Sequence, residues 1–202
     1  LKNTKLQLND TLPLTCSRAG TCCHGNLVLL NPWEIYSLAN EKKISPKEFR
    51  DQYTEFGGTK LLFNGSSSFK GKKSCTLYVE NFGCSVHLGR PLACRLFPLG
   101  RQIQNTETTY IFEGKTFPCL KDCPEVTLLP KLSVATYLKG QATDKFESAQ
   151  DAYLELMQNL ADIAFELLLD TGLAQSGDTK TLPLWKIMGN EEPEMLANRI
   201  GK

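Results

Sequence analysis

The chain has 202 residues, with 23 Lys and Arg against 22 Asp and Glu for a formal net charge of +1. At roughly 100–200 residues per domain this allows one domain, or one with an appendage, and it is long enough to bury a real core. A 41% hydrophobic share with 22% charged residues argues against wholesale disorder, and the near-zero balance gives no global reason to bind nucleic acid or a membrane surface.

No apolar run approaches the ~20 residues that span a bilayer. The opening LKNTKLQLND lacks the apolar stretch of a signal peptide, so a cytoplasmic chain is expected. In that setting eight cysteines point to metal or redox chemistry before disulfides. After an extended start, Cys16, Cys22 and Cys23 fall in one Gly-containing loop. Asn31-Pro32-Trp33-Glu34 then supplies an N-cap, a Pro at the first helical position and a Glu to close a capping box. Ser45-Pro46-Lys47-Glu48 repeats the device. Ile35, Leu38 and Ala39 define the apolar face of the first helix, and Phe49, Tyr53 and Phe56 that of the second. Gly57-Gly58 ends the pair.

Residues 59–89 read as short strands broken by loops, with Leu61-Leu62-Phe63 and Thr76-Leu77-Tyr78-Val79 the best candidates. Between them lies a flexible loop, Asn64 to Ser68, followed by the solvated Lys70, Lys72 and Lys73. Arg101 to Gln104 and Thr108 to Phe112 read as a β-hairpin around Asn105. From Thr143 the character changes. Asp144 with Glu147 reads as a third capping box, and Phe146, Ala149, Tyr153, Leu156, Leu160, Ile163 and Leu167 recur at alternating intervals of three and four. That stripe predicts a helix of about 28 residues, ~42 Å long, with Gly172 as its C-cap. It reads as a spine for the cysteine-bearing half, with a dimer seam as the sharper alternative. The tail beyond Gly172, with Pro183, Trp185 and Pro193, is expected to wrap loosely or end in a short helix.

The expected fold is α+β: a helix-rich scaffold with a small irregular β portion clamped by a cysteine metal site, and a long C-terminal helix. The division expected is a cysteine-cluster region over 1–130 and a helical extension over 131–202 packing on it, one domain overall.

The cysteine spacings are C-x5-C-C, then C-x8-C-x9-C, then C-x3-C, all between positions 16 and 123. Cysteines used merely as small core residues would not segregate this way. Thiolates are soft ligands that hold zinc in tetrahedral sets or build iron–sulfur clusters. Pro91 can open a helical turn and Pro98 forces its end, so Cys94 sits on a short, stiff element. Arg90 and Arg95 flank it and read as support for thiolate charge. His24 and His87 each lie within three residues of a cysteine. Either could complete a Cys₃His set, with a hydrogen-bonding or surface role as the alternative.

Cys16-x5-Cys22-Cys23, followed by Cys75 and by Cys84-Ser-Val-His87-x-x-Arg90-Pro91-x-x-Cys94-Arg95-x-Phe97-Pro98, resembles the YkgJ-type cysteine-cluster family. Its members are described as zinc- or iron-chelating domains with a leading C-x2-C-x2-C-C motif and a Gly after the second Cys. Cys16, Gly20, Cys22 and Cys23 match that frame, while Ala19 stands at the second Cys position and His87 where a Tyr is expected. The resemblance covers roughly residues 12–125. It implies a metal ion as cofactor and partner, zinc or iron, or an iron–sulfur cluster. The candidate ligands are Cys16, Cys22, Cys23, Cys75, Cys84, Cys94, Cys119 and Cys123, the last two available to supply what Ala19 lacks. Neither nucleic acid nor a membrane is expected as partner, and no protein partner is legible.

Two other classes compete. One is an iron–sulfur enzyme of methyl-transfer or redox type, like the flagellin lysine methylases, which carry a similar cluster. The other is a disulfide-stabilised secreted protein. No nucleotide-binding Gly-rich loop, GxSxG elbow or HExxH motif is present.

Overall fold

A computed structural model of the chain describes residues 4–13, 20–104, 107–112 and 131–170. The strands β1 (Thr4–Leu6) and β2 (Thr11–Leu12) open it. Helix α1 (Pro32–Lys42) starts as its sequence demands. Asn31 Oδ1 accepts from Glu34 N at 2.9 Å, and Glu34 Oε2 accepts from Asn31 N at 3.0 Å. Helix α2 (Pro46–Tyr53) is capped by Ser45 Oγ, which accepts from Glu48 N at 3.1 Å. Leu38, Ala39 and Phe49 are fully buried between the two, and Phe49 stacks on Tyr53 with ring centroids 5.1 Å apart. Phe56 departs from the expected face: the helix stops at Tyr53, Phe56 falls in a 3₁₀ turn with positive φ, and its ring is 74% exposed.

The middle of the chain forms three two-residue hairpins. They are β3 (Thr54–Glu55) with β4 (Lys60–Leu61), β5 (Ser68–Phe69) with β6 (Lys72–Lys73), and β7 (Tyr78–Val79) with β8 (Gly83–Cys84). These strands are shorter than the sequence pattern suggests because neighbouring amides answer different segments. Leu61 N turns to Val28 O, while Leu62 N donates to Tyr53 O and carries the β3 register one residue past Leu61, both at 2.9 Å. Lys70 and Gly71 form the turn of the second hairpin, and Lys70, Lys72 and Lys73 are exposed as expected.

Helix α3 (Leu92–Leu96) follows, then β9 (Gly100–Gln104) and β10 (Glu107–Phe112), the expected hairpin. β1 joins its far side, giving the antiparallel order β1-β10-β9 with Leu6 opposite Tyr110. β11 (Leu132–Ser133) pairs with β2 and runs into helix α4 (Val134–Gln141), capped by Ser133 Oγ accepting from Thr136 N at 3.1 Å. Helix α5 (Asp144–Asp170) comes next. Asp144 is its first helical residue and not its cap. Thr143 O accepts from Phe146 N and Glu147 N, and the Glu147 carboxylate turns to Tyr110.

Two hydrophobic clusters hold the unit Leu1–Glu155. The first gathers Leu6, Leu92, Leu96, Leu99, Tyr110, Val134, Tyr137, Leu138 and Phe146. The second gathers Val28, Leu30, Leu38, Ala39, Phe49, Leu61, Cys75, Leu77 and Val86, with Cys23, Cys84 and Cys94 packed against it. A fully buried Leu or Phe contributes about 1.5–3 kcal/mol. Helix α3 serves both clusters, giving Leu92 and Leu96 to one and Cys94 to the other. The second unit, Leu156–Lys202, is described only over the end of α5, where Leu156, Leu160, Ile163 and Phe165 are exposed. The tail beyond Gly172 lies outside the described residues, as does Gly172 itself. No helix among the described residues is long and apolar enough to cross a membrane.

Candidate metal centre

The first thiol pair sits in a 3₁₀ turn, Thr21–Cys23, entered through Gly20 at φ 73°. Only glycine serves there, since a Cβ would also stand 2.2 Å from Tyr78 Cε2. Backbone bonds then sew the turn to the next cysteine: Cys75 N donates to Cys23 O at 2.7 Å, and Gly25 N donates to Lys73 O at 3.0 Å. Cys75 is followed by a tight turn in which Leu77 N points at Cys75 Sγ at 3.5 Å. The β7–β8 hairpin sets Cys84 opposite Tyr78, and Ser85 N donates to Leu77 O at 2.9 Å. Residues 86–89 then turn onto α1, where Gly89 fits because a Cβ would lie 2.7 Å from Ser37 O. Cys94 arrives on α3.

These four chain segments converge. Cys22, Cys23, Cys75, Cys84 and Cys94 all line one cavity of about 90 Å³. Its remaining walls are mainly apolar; among the described residues no carboxylate lines it, and Arg90 is its one charged residue. All five of these cysteines are free thiols. Cys16, Cys119 and Cys123 lie outside the described residues. As the thiols stand, no three His, Cys, Asp or Glu side chains among the described residues form a group that could hold a metal ion. The cavity gathers the donors without closing a coordination shell.

The thiols feel one another. Cys23 donates a hydrogen bond to Cys22, which together with backbone bonding and the Arg90 charge brings the Cys22 thiol down to about 7. The same bond, with burial, pushes Cys23 up. Burial pushes Cys75 up to about 11. Cys94 is pushed up by burial first and then by Cys75, Cys84 and Cys22. A set of thiols that oppose each other's ionisation is one that a soft cation would draw into the thiolate form. The residues present therefore fit zinc or iron by donor type.

The two arginines differ from each other. Arg90 lines the cavity and its charge favours the thiolates of Cys22 and Cys94. Its Nε is buried with no hydrogen-bond partner among the described residues, an N–H available to a thiolate sulfur. Arg95 feels the Cys94 charge as well, but its nitrogens are spent on the backbone. It is buried, and its three nitrogens donate to backbone carbonyls: Nε to Arg90 O at 2.9 Å, Nη1 to Gln141 O at 2.7 Å, and Nη2 to Leu88 O. Its guanidinium also lies over the Phe146 ring, 3.9 Å from the centroid. Burial brings it down to about 10. Arg95 is a clasp that fixes α3 against α4.

Both histidines make hydrogen bonds within the protein. His24 is buried, with Nδ1 2.9 Å from Gly20 O and Nε2 3.4 Å from Ser67 Oγ, and its ring meets Tyr78 edge-on at 5.0 Å. It braces the Cys22–Cys23 turn. His87 lines the cavity, but its Nε2 is 2.8 Å from Arg90 Nη1 and so accepts from the guanidinium.

Glu34 and Gln141 are what sequence reasoning missed. Glu34 is recognisable as half of a capping box. Nothing in the sequence shows that its second oxygen accepts from Leu92 N, at 2.7 Å and 58 residues away. Gln141 receives both arginines, through its side chain from Arg90 and its carbonyl from Arg95.

Residues 15–113 match the family model CxxCxxCC, described as "Putative zinc- or iron-chelating domain". No curated protein and no solved structure matches the chain.

Proposed function

Because residues 15–113 belong to the CxxCxxCC family, we propose that this protein chelates zinc or iron through the thiolates around the 90 Å³ cavity. Cys22, Cys23, Cys75, Cys84 and Cys94 form the candidate ligand set. Cys16, Cys119 and Cys123, which lie outside the described residues, stay candidates for further ligands by sequence. The observation that carries this reading is the convergence: five cysteines from four segments share one cavity with no carboxylate among its described lining residues. Soft donors without hard ones select zinc, copper(I) or iron over magnesium or calcium. A bound ion supplies a cross-link, and its binding energy becomes folding energy for the segments that carry the ligands. Arg90 offsets the negative charge of a multi-thiolate shell.

The test is metal analysis and an absorption spectrum on protein purified without oxygen. A colourless protein with about one or more zinc ions per chain, or a broad visible absorption with iron and sulfide, each supports chelation and names the metal. Protein free of both metals after purification and after reconstitution would overturn it. Cys94→Ser is expected to lower metal content and melting temperature together, and Cys22→Ser to do less.

A further inference from the structure

We propose that Glu34 is the positioning residue for Cys94, its single buried carboxylate holding the ligand-bearing helix α3 on helix α1. The inference rests on the chelating reading above and adds a residue that is not itself a ligand.

Helix α3 has five residues, too few to stand by its own hydrogen bonds. Its N-cap position is Pro91, which offers no side-chain cap. The far end is held by the three Arg95 bonds, and Tyr137 Oη donates to Phe97 O at 2.5 Å. At the near end, the side-chain acceptor found for α3's first amide is Glu34 Oε1, 2.7 Å from Leu92 N. Glu34 Oε2 is committed to Asn31 N at 3.0 Å, and the side chain is only 2% exposed. Cys94 follows two residues after Leu92, its own amide donating to Pro91 O at 3.0 Å. Any slip of α3 along α1 therefore moves Cys94 relative to Cys22, Cys23 and Cys84. Zinc–thiolate bonds near 2.3 Å tolerate only about 0.2 Å of error.

The chemistry requires a carboxylate. Both partners of Glu34 are N–H donors, and only an ionised carboxylate accepts at both oxygens. Gln keeps the shape but sets an NH₂ group against one of the two amides. Asp is a methylene too short to span both. A residue that merely capped α1 would need one oxygen, and Asn31 already supplies the reciprocal half of that cap.

The experiment uses the full chain, with zinc affinity measured by competition against a chromophoric chelator and cobalt(II) absorption as a readout of thiolate coordination. Glu34→Gln is expected to weaken zinc binding by about tenfold to a hundredfold, as for residues that orient metal ligands, and to diminish the cobalt–thiolate bands. Asn31→Ala removes the α1 cap and the Asn31–Gln150 bond but leaves Glu34 on Leu92. It should lower the melting temperature while keeping zinc affinity within about threefold. Affinity within that margin for Glu34→Gln, or an equal loss in both variants, overturns the positioning role. Cys94→Ser separates the two claims. If it binds zinc like the wild type, the chelating reading of this cavity fails. If it loses zinc while Glu34→Gln does not, only the positioning role fails. Should Glu34→Gln not fold, hydrogen exchange at the Leu92 amide of the wild-type chain decides: first-turn amides lack an intrahelical partner, so strong protection supports the bond and rapid exchange refutes it.

Discussion

The two hydrophobic clusters of the first unit differ in how their backbone is organised. The cluster around Tyr110, Val134 and Tyr137 rests on a three-stranded sheet and two capped or well-started helices, and its side chains are aliphatic or aromatic. The cluster around Phe49, Leu77 and Val86 has helices α1 and α2 on one side, but its other side is loops and two-residue hairpins. Into that irregular side the chain places Cys23, Cys75, Cys84 and Cys94. Loops gather donors from distant positions more readily than a sheet does, because each turn can aim one side chain. They also leave fewer mutual backbone bonds, so the region depends more on whatever joins its side chains. The lesson is a division of labour about α3: conventional packing stabilises one flank, and ligand chemistry is expected to stabilise the other.

Metal removal would break that comparison most strongly if it is wrong. Apparent binding energies of structural zinc run to about 10–16 kcal/mol in small domains, far above any single contact here. Chelation is expected to lower hydrogen-exchange protection around Val28, Leu77 and Val86 while the amides of β10 and α4 stay protected. Uniform loss in both clusters would show that the flanks are not independent. Among single substitutions, Phe49→Ala should cost about 3–5 kcal/mol, the range for emptying a fully packed aromatic site. Added metal should recover part of that loss, since the cavity thiols pack against the same cluster; urea unfolding with and without zinc is the measurement.

How much of this was readable beforehand depends on whether the signal was local. Asn31, Ser45 and the hairpin of β9 and β10 are decided within a few residues, and each appears where the sequence put it. The grouping of cysteines was readable from their segregation, and Cys22, Cys23, Cys75, Cys84 and Cys94 do share a cavity. The family match over residues 15–113 agrees with the motif from Cys16 to Pro98. What was not legible is long-range. Helix α4 is set by its Ser133 cap and by Val134 N and Ala135 N donating to Asp10 O and Leu8 O, which no local pattern reports. The same holds for Arg95: its neighbour Cys94 suggested a partner for thiolate charge, whereas three backbone carbonyls claim it.

Arg95 tests the joint between the two flanks. Its guanidinium ties residues 88 and 90 to Gln141 and covers Phe146, so it links the thiol side to α4 and the start of α5. Lysine cannot reproduce a planar group donating in three directions. Arg95→Lys should therefore cost about 2–4 kcal/mol by leaving buried carbonyls unpaired. If the joint is real, unfolding of this variant should lose cooperativity, with cavity thiols becoming reactive before Tyr110 is exposed. A loss below about 0.5 kcal/mol with one sharp transition would mean that packing alone couples the flanks.

The smallest expected effect belongs to Tyr110, on the sheet side and outside the cluster that carries the described thiols. Its hydroxyl donates to Glu147, 3.0 Å from Oε1 and 3.1 Å from Oε2, and tethers α5 to the sheet. Burial first, and the Glu147 charge second, push the phenol up to about 12. The folded state thus keeps a proton that the unfolded chain gives up near pH 10. Its contribution is complete below pH 10 and is lost as pH rises through 10 toward 12. Tyr110→Phe should cost about 1–1.5 kcal/mol at neutral pH, one hydrogen bond to a carboxylate. The stability difference between wild type and variant should shrink over that alkaline window, because the wild type is then losing the bond that the variant lacks. Paired urea titrations at pH 7, 10 and 11.5 measure it, and subtracting the variant cancels the lysines and arginines that titrate nearby. A difference that stays constant across the window would show that the phenol does not hold its proton for Glu147, and that α5 meets the sheet through Arg101 and Asp151, whose bidentate bonds at 2.7 and 2.8 Å lie beside it.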